Sequence, residues 1–412
     1  MRKQIVVLGG GTGGTIVANR LRRRFDLDDA DIHVVDRDDR HVFQPGLLFV
    51  PFGLATIEEI VRPRHAQLHK GIQFHEDEVE TVSVGREEVR LASGKLLPYH
   101  VLVVASGVRL RPEETAGLTG PGWNERAFTF YTAAGAEALR KRLEEFEGGR
   151  LVVNLVDMPI KCPVAPLEFA FLADWYYRER GLRDRVELAY VTPLDAPFTT
   201  SVASERLGAL LAEKEIELIT DFKVAEVDGV NGVARSSDDR QTDFDLFVTV
   251  PLHGGATFVD RSAPLGNALG FVPTNKHTLR HESAANIFAL GDATDLPVSK
   301  AGSVTQFEAE VLTDNVVRHL EGKKLERGYD GHANFFVETG FHKALMIDFN
   351  YEEEPVPGRF PHAAGPLQLL RESRLNHLGN GLLQWIYWHA LLPGRDLPVI
   401  GPTMPLGGKS RS

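Results

Sequence analysis

The stretch IVVLGGGTGGTIVANRLRRR, residues 5–24, decides the fold of this chain. A continuous apolar run of the kind found in buried β-strands leads into a glycine-rich turn, and apolar residues at helical spacing follow. A second strand-like run, IHVVD at 32–36, ends in an acid. A strand, a glycine turn, a helix and a second strand with a terminal acid are typical of a dinucleotide-binding βαβ unit.

Each glycine of this turn has a separate task in such a unit. Gly9 permits the tight turn, Gly11 lets the backbone approach a pyrophosphate, and Gly14 lets the helix pack on the strand. The first N–H groups of the helix and its dipole favour the phosphates. Asp36 would accept hydrogen bonds from a ribose 2′-hydroxyl.

Two further apolar strands end in turns that narrow the choice of dinucleotide. VLVVASGVRLRP (101–112) carries Ala105-Ser106-Gly107, and NIFALGDATDLP (286–297) carries Gly291-Asp292. This order resembles the two-dinucleotide-binding-domain flavoproteins, the disulfide-reductase-like superfamily. The resemblance implies an α/β fold with two Rossmann-like domains, FAD on the first fingerprint, and Asp292 on the ribityl chain. A helix cap is the other role considered for Asp292.

A chain of 412 residues is expected to form two or three domains. We predict a discontinuous FAD domain at 1–112 and 270–330, and a second Rossmann-like domain at 113–269. The remainder, 331–412, is predicted to be a C-terminal segment for membrane docking or for an interface.

The middle domain is predicted to lack the second nucleotide. Its strand runs into VVNLVDMPIKCPVAPLEF (152–169), which has no glycine where a pyrophosphate needs close backbone approach. Pro159, Pro163 and Pro166 also remove N–H donors from this stretch. These features disfavour NADH as the reductant.

The segment KCPVAPLE (161–168), together with SKAGSVTQFEAE (299–310), resembles the sulfide:quinone oxidoreductases and flavocytochrome sulfide dehydrogenases. The resemblance covers nearly the whole chain and implies electron flow from sulfide or a related small sulfur compound to FAD and then to a quinone. It places Lys300 where a lysine would stabilise the anionic reduced flavin, although a solvated surface lysine is the alternative. The implied cofactor contacts are Gly9, Gly11, Thr12, Gly14, Asp36, Arg37, Val79, Ala105, Ser106, Gly107, Pro163, Gly291, Asp292, Lys300 and Gly302.

Cys162 is the only cysteine of the chain, so no intramolecular disulfide can form. Family members generally use two redox cysteines, and the matching C-terminal stretch, 335–352, contains none. Three alternatives follow. Cys162 could form a persulfide whose outer sulfur an external thiol or sulfite removes, it could form a charge-transfer or covalent adduct with the flavin, or it could be a relic in a protein with a different electron donor. Glu168 is a candidate proton shuttle, or else a surface carboxylate. Lys161 would lower the thiol pKa only if its side chain turned toward the sulfur.

The C-terminal segment GLLQWIYWHALLP (381–393) is too short to span a bilayer but rich in Trp, Tyr and Leu. Such residues favour a membrane–water boundary, and a buried dimer interface is the alternative. Nearby cations would face anionic headgroups: Arg371, Arg374, Arg395, Lys409 and Arg411. Candidates for lining a quinone channel are Phe335, Phe336, Phe341 and Leu345.

Net charge and the absence of recognisable targeting segments narrow the possible functions. A formal charge of −11 and a pI near 5.8 argue against nucleic acid as a partner. No signal peptide, spanning segment or metal-ligand spacing is recognisable, so we expect a peripheral protein on the cytoplasmic side of the cell membrane, or otherwise a cytoplasmic one. A homo-oligomer is an open alternative to a monomer. The alternatives to sulfide:quinone oxidoreduction are an NAD(P)H:quinone oxidoreductase and a non-catalytic flavin-binding subunit that docks a sulfur carrier or electron-transfer partner.

Overall fold

The computed structural model describes residues 2–397 and 400–409. Its strands are β1 (Lys3–Leu8), β2 (Ala30–Asp36), β3 (Arg40–Val42), β4 (Val61–Pro63), β5 (Ile72–Glu76), β6 (Val79–Ser83), β7 (Glu88–Leu91), β8 (Leu96–Pro98), β9 (Val101–Val104), β10 (Arg109–Leu110), β11 (Ala127–Phe128), β12 (Gly149–Leu155), β13 (Val186–Val191), β14 (Glu217–Ile219), β15 (Val224–Asp228), β16 (Val233–Ser236), β17 (Gln241–Asp243), β18 (Leu246–Val250), β19 (His253–Gly254), β20 (Ile287–Ala289), β21 (Ala333–Gly340), β22 (Lys343–Phe349), β23 (Gly358–Phe360) and β24 (Leu367–Leu369). Its α-helices are α1 (Thr12–Arg24), α2 (Ile57–Ile60), α3 (Ala133–Glu145), α4 (Ala165–Glu179), α5 (Ser201–Glu213), α6 (Thr257–Asp260), α7 (Gly302–Leu320) and α8 (Arg374–Ile386), and a π-helical turn follows at Tyr387–Leu391.

The first sheet has the order β20-β9-β1-β2-β5, and all of its pairings are parallel. Its central strands are apolar almost throughout because helices and loops cover both faces. Because parallel strands end at the same edge, the turns after β1, β9 and β20 converge there. This is the edge at which open α/β sheets bind their ligands.

The second sheet has the order β11-β18-β12-β13-β14 and is also parallel. The segment after β12 carries Cys162 and leads into α4. Two parallel sheets of this kind confirm the predicted fold class of two Rossmann-like domains. The first sheet takes strands from both halves of the chain, as a discontinuous domain requires, and the domain boundaries themselves stay a prediction.

A third sheet, β21-β22-β24-β23, is built by the C-terminal segment. Its long antiparallel hairpin, β21 and β22, packs against α4 of the second domain on one side and α8 on the other. The hairpin therefore lies between the Cys162 segment and the C-terminal helix.

The C-terminal segment differs in two ways from the sequence prediction. Trp385 is exposed, but Tyr387 and Trp388 are buried, so the aromatic residues of 381–393 do not form one outward face. Lys409 does not supply surface charge, because its Nζ lies 2.6 Å from Asp348 and its side chain is 3% exposed. Arg411 lies outside the described residues. Among the described residues, no helix has the length and apolar character needed to cross a membrane.

Candidate functional site

The turn between β1 and α1 has the geometry of a phosphate cradle. Gly9 has φ +97°, a left-handed value that favours glycine, and a Cβ on Gly14 would overlap the carbonyl oxygen of Gly9. A Cβ on Gly11, by contrast, would meet no described atom within 4 Å. The backbone before α1 is therefore open to a ligand, and the first N–H groups of the helix stand behind it.

Asp36 lies at the tip of β2 and is held in place from three directions. Its carboxylate accepts hydrogen bonds from Gly10 N at 2.7 Å and Arg37 N at 2.9 Å, and Arg64 Nη1 lies 2.9 Å away. A carboxylate can accept about four hydrogen bonds, so one acceptor direction remains for a ribose hydroxyl. Arg64 is buried and was not predicted, because nothing in its local sequence connects it to the glycine turn.

The other two predicted turns reach the same edge of the sheet. Ser106, after β9, has a buried hydroxyl with no hydrogen-bond partner among the described residues. Gly291, after β20, has φ +67°, and its N–H donates to Glu308 at 2.5 Å. A buried hydroxyl without a protein partner and an open glycine turn on one edge fit an extended dinucleotide such as FAD.

Lys300 is buried beneath the Gly291-Asp292 turn and is not a solvated lysine. Its Nζ donates to the carbonyl oxygens of Thr294 at 2.6 Å and Asp292 at 3.1 Å. Burial lowers its pKa, and the Asp292 carboxylate opposes that change. Burial also raises the pKa of Asp292, while the charges of Lys300 and Lys161 lower it.

Cys162 joins the two domains at this point. Its N–H donates to the carbonyl oxygen of Lys300 at 2.5 Å, and its own carbonyl accepts from Tyr131 Oη at 3.1 Å and Ala165 N at 3.0 Å. Its φ is +48°, an uncommon value for a residue with a side chain. Backbone strain of this kind costs on the order of 1–3 kcal/mol and occurs where the surrounding structure fixes a functional geometry.

The surroundings of Cys162 raise the pKa of its thiol. Burial raises its pKa, and the charge of Glu168 raises it further. Lys161 opposes this only weakly, because its Nζ turns to Gln44 Oε1 at 2.9 Å and to the Tyr131 carbonyl at 3.3 Å. Forming a thiolate here therefore requires a nearby group that accepts the proton.

Glu168 is such a group, and it is not a surface carboxylate. It lies in the first turn of α4, where that helix packs on β21, and it is 5% exposed. Burial raises its pKa to about 8, and the charge of Glu338 adds to the effect, although the Glu338 N–H donates to Glu168 Oε1 at 2.9 Å. A carboxyl with this pKa can both bind and release a proton near neutral pH.

The remaining predicted cofactor residues lie on several different elements of the fold. Thr12 begins α1, and its Oγ1 lies 2.7 Å from Tyr387 Oη, which also lies 2.7 Å from His41 Nε2. Gly302 begins α7, and Pro163 is buried beside Cys162. The backbone N–H of Arg37 contacts Asp36, while its side chain is largely exposed; Val79 begins β6.

The aromatic candidates for a quinone channel are not brought together. Phe335 on β21 and Leu345 on β22 are buried in the hairpin core, and Phe336 packs toward Gly379 of α8. Phe341 lies in the hairpin turn under Lys214, about 20 Å from Phe335 along the strand direction. The predicted residues therefore cannot line one short channel as a group.

Comparisons with known proteins agree with this geometry. A family model described as pyridine nucleotide-disulphide oxidoreductase matches residues 3–156. The mitochondrial sulfide:quinone oxidoreductase of Mus musculus is 25% identical over 399 residues, covering 95% of this chain and 86% of that protein. Its counterpart in Dictyostelium discoideum is 26% identical, covering 95% of this chain and 86% of that protein.

The crystal structure of the sulfide:quinone oxidoreductase from the hyperthermophilic bacterium Aquifex aeolicus superimposes with a TM-score of 0.83. At 20% identity, it covers 95% of this chain and 92% of that chain, and it supports the fold. The sequence relatives, the convergent turns and the cradle that fits FAD lead to one assignment. Over nearly its whole length the chain is similar to sulfide:quinone oxidoreductases, and it is an FAD-dependent oxidoreductase with the fold of the two-dinucleotide-binding-domain flavoproteins.

Proposed function

We propose that this protein oxidises sulfide, or a related small reduced-sulfur compound, at Cys162 and transfers the electrons through FAD to a quinone. The observation that carries the proposal is the position of Cys162. Its backbone is hydrogen-bonded to Lys300 beside the Gly291-Asp292 turn, and its thiol is within electrostatic reach of the buried Glu168. A nucleophile next to a group that can take its proton is the arrangement that covalent catalysis needs.

The chain's residues divide the work. The Gly9–Gly14 turn and Asp36 would hold the pyrophosphate and ribose, and Lys300 would hold the Gly291-Asp292 turn in shape. Glu168 would accept the thiol proton, so that the sulfur of Cys162 can form a bond to substrate sulfur. FAD, when bound, supplies the two-electron acceptor.

The sulfur has to leave by an intermolecular step. Cys162 is the only cysteine, and the hairpin that packs on α4 presents buried apolar side chains such as Phe335, which packs against Phe198 and Phe349. An external nucleophile, either a small thiol, sulfite or hydrosulfide itself, must therefore remove the sulfane sulfur from Cys162. Turnover should depend on that nucleophile.

We also propose that α8 docks on a membrane surface and brings the enzyme to its quinone. Leu375, Leu378, Leu382 and Trp385 are 52–61% exposed, and their spacing places them on one face of the helix. We call this face the α8 stripe. Arg371, Arg374 and Arg395 are exposed nearby and suit anionic headgroups on the cytoplasmic side of a cell membrane.

Anaerobic titration of the purified holoprotein tests the proposed reaction. Sulfide should bleach the flavin absorbance of the parent, and Cys162→Ala should keep its FAD but resist bleaching, since a methyl group cannot bond to substrate sulfur. NADH should reduce the flavin no faster than background, because the segment after β12 lacks a nucleotide fingerprint.

The other outcomes decide between the alternatives. A Cys162→Ala protein that sulfide reduces at the parent rate would leave Cys162 as a core residue. Rapid, saturable reduction by NADH would favour an NAD(P)H:quinone oxidoreductase. A parent that keeps FAD and responds to neither reductant would be a non-catalytic flavin subunit.

A further inference from the structure

A line of polar side chains runs from the neighbourhood of Cys162 to the surface beside α8. It consists of Glu168 on α4, Glu338 on β21 and His377 on α8. The two glutamates are 5% and 3% exposed, whereas the side chain of His377 is 36% exposed. Each member lies on a different element, so the line exists only because α4 and α8 pack near the same hairpin.

The first link joins the two buried glutamates. Glu168 Oε1 accepts a hydrogen bond from the backbone N–H of Glu338 at 2.9 Å, which fixes the Glu168 carboxyl against β21. The Glu338 carboxylate lies close enough for its charge to raise the pKa of Glu168. A like charge near a buried carboxyl favours its protonated form, so Glu168 is able to hold a proton beside Glu338.

The second link joins Glu338 to the surface. His377 Nδ1 lies 2.9 Å and 3.1 Å from the two carboxylate oxygens of Glu338, and Asn380 Nδ2 donates to Oε1 at 2.8 Å. The ring of His342 packs edge-on against His377 at a centroid distance of 5.5 Å. The titratable groups beside the line include Cys162 and Tyr131 at its inner end and His342 at its outer end.

The proposed chemistry creates a need for such a line. The Cys162 thiol and one molecule of hydrogen sulfide together yield a Cys162 persulfide, two protons and two electrons. One S–S bond forms, two S–H bonds break, and the two electrons go to FAD. FAD, when bound, takes up one of these protons with the two electrons. The other is released where burial opposes uncompensated charge, so it requires a path outward.

We propose that Glu168, Glu338 and His377 form a proton relay that carries protons released at Cys162 to solvent beside α8. This inference rests on the proposed function, because the protons come from sulfide oxidation. Glu168 is the member whose charge acts on the Cys162 thiol, whereas Glu338 and His377 act through Glu168. The competing explanation for Glu338 is structural, namely that it only ties α8 to the hairpin through His377 and Asn380.

Stopped-flow reduction of the holoprotein by sulfide, measured across pH 6–9, distinguishes a proton relay from a purely structural link between α8 and the hairpin. Glu338→Gln keeps an oxygen for Asn380 but cannot carry a proton, and His377→Asn removes the outer proton carrier. We expect both to slow sulfide-driven flavin reduction by about tenfold or more, with unchanged FAD content and Tm. Dithionite, which delivers electrons without passing protons through Cys162, should reduce all variants at the parent rate.

Two further measurements respond to a proton relay and not to a purely structural link. Glu338→Gln removes the charge that raises the pKa of Glu168, so the midpoint of the pH–rate profile should move to lower pH. Added imidazole should restore part of the rate to His377→Ala. His389→Asn, which changes an exposed histidine just beyond α8, is the matched control and should behave as the parent.

Each remaining result has a definite meaning. Parent rates in Glu338→Gln and His377→Asn at every pH would overturn the relay while leaving the proposed function intact. If Glu338→Gln fails to fold, His377→Ala without imidazole rescue would equally overturn it. A parent protein that sulfide does not bleach would overturn the proposed function, and the relay with it.

Discussion

Among single residues, Gly11 and Gly14 belong to one turn but face different partners. A side chain on Gly14 would meet the backbone of Gly9, whereas one on Gly11 would enter space that no described atom approaches within 4 Å. Gly11 also has φ −73°, which any residue adopts. Gly14 is therefore required by the packing of the fold, whereas Gly11 is required only if a ligand occupies the space beside it.

We predict that Gly11→Val folds but is recovered without FAD, because the new side chain occupies the place of the pyrophosphate. Gly14→Ala should instead lower the folded yield, since the clash is with the protein itself. Flavin absorbance per mole of protein and far-UV circular dichroism measure the two effects. Full flavin content in Gly11→Val would contradict the assignment of this turn.

Some residues of the candidate site could be predicted from the sequence and others could not, for a physical reason. Gly9, Asp36 and the Gly291-Asp292 turn follow apolar strands, so their local pattern indicates their place. Arg64 and Glu338 contribute through contacts with distant segments, and no local spacing marks them. Glu168 stood in a recognisable motif, but its burial depends on the packing of α4 against β21.

Among the helices and strands, α8 shows that the periodicity of apolar residues predicts the exposed face of a helix better than amino-acid composition does. Composition favoured 381–393 because aromatic residues concentrate there, yet Tyr387 and Trp388 fold inward and Tyr387 contacts Thr12 at the start of α1. The outward face begins earlier, at Leu375, and recurs at helical spacing. The segment that follows the α8 stripe is thus connected to the start of α1 through one tyrosine.

We predict that Leu382→Glu reduces binding to anionic lipid vesicles by about tenfold or more, since a carboxylate replaces the apolar centre of the stripe and faces headgroups of the same charge. Vesicle flotation measures this. Val230→Glu is the matched control, because Val230 is 64% exposed and lies on a hairpin of the second domain. Equal flotation of parent and Leu382→Glu would count against membrane docking, and a change from dimer to monomer would favour an interface between copies.

Across the protein as a unit, buried ionisable groups determine how stability depends on pH. Burial raises the pKa of Glu168 and of Glu308 to about 8, from an ordinary value of 4.5. Between those values the folded protein holds more protons than the unfolded chain, so stability falls as pH rises. His41 and His253, whose pKa burial lowers to about 3 from 6.5, act in the opposite direction, but only below pH 6.5.

We predict that the Tm of the holoprotein falls by roughly several degrees between pH 6.5 and 8, and that Glu308→Gln reduces this fall. Glutamine can still accept the hydrogen bond from Gly291 N but does not titrate. Differential scanning calorimetry at low ionic strength measures both slopes. Parallel slopes in parent and variant would mean that Glu308 is already ionised in the folded state.

The presence of a single cysteine, Cys162, has a consequence for measurement. Any sulfur that remains covalently attached to a thiol of this chain is attached to one known atom, so the intact mass of the protein counts it directly. A gain of one sulfur atom per chain reports the first oxidation, and further gains report a growing polysulfide. The time at which the added mass disappears shows when the sulfur has been delivered to an acceptor. The extent and rate of each step can therefore be read from the undigested protein, without mapping peptides to find the modified site.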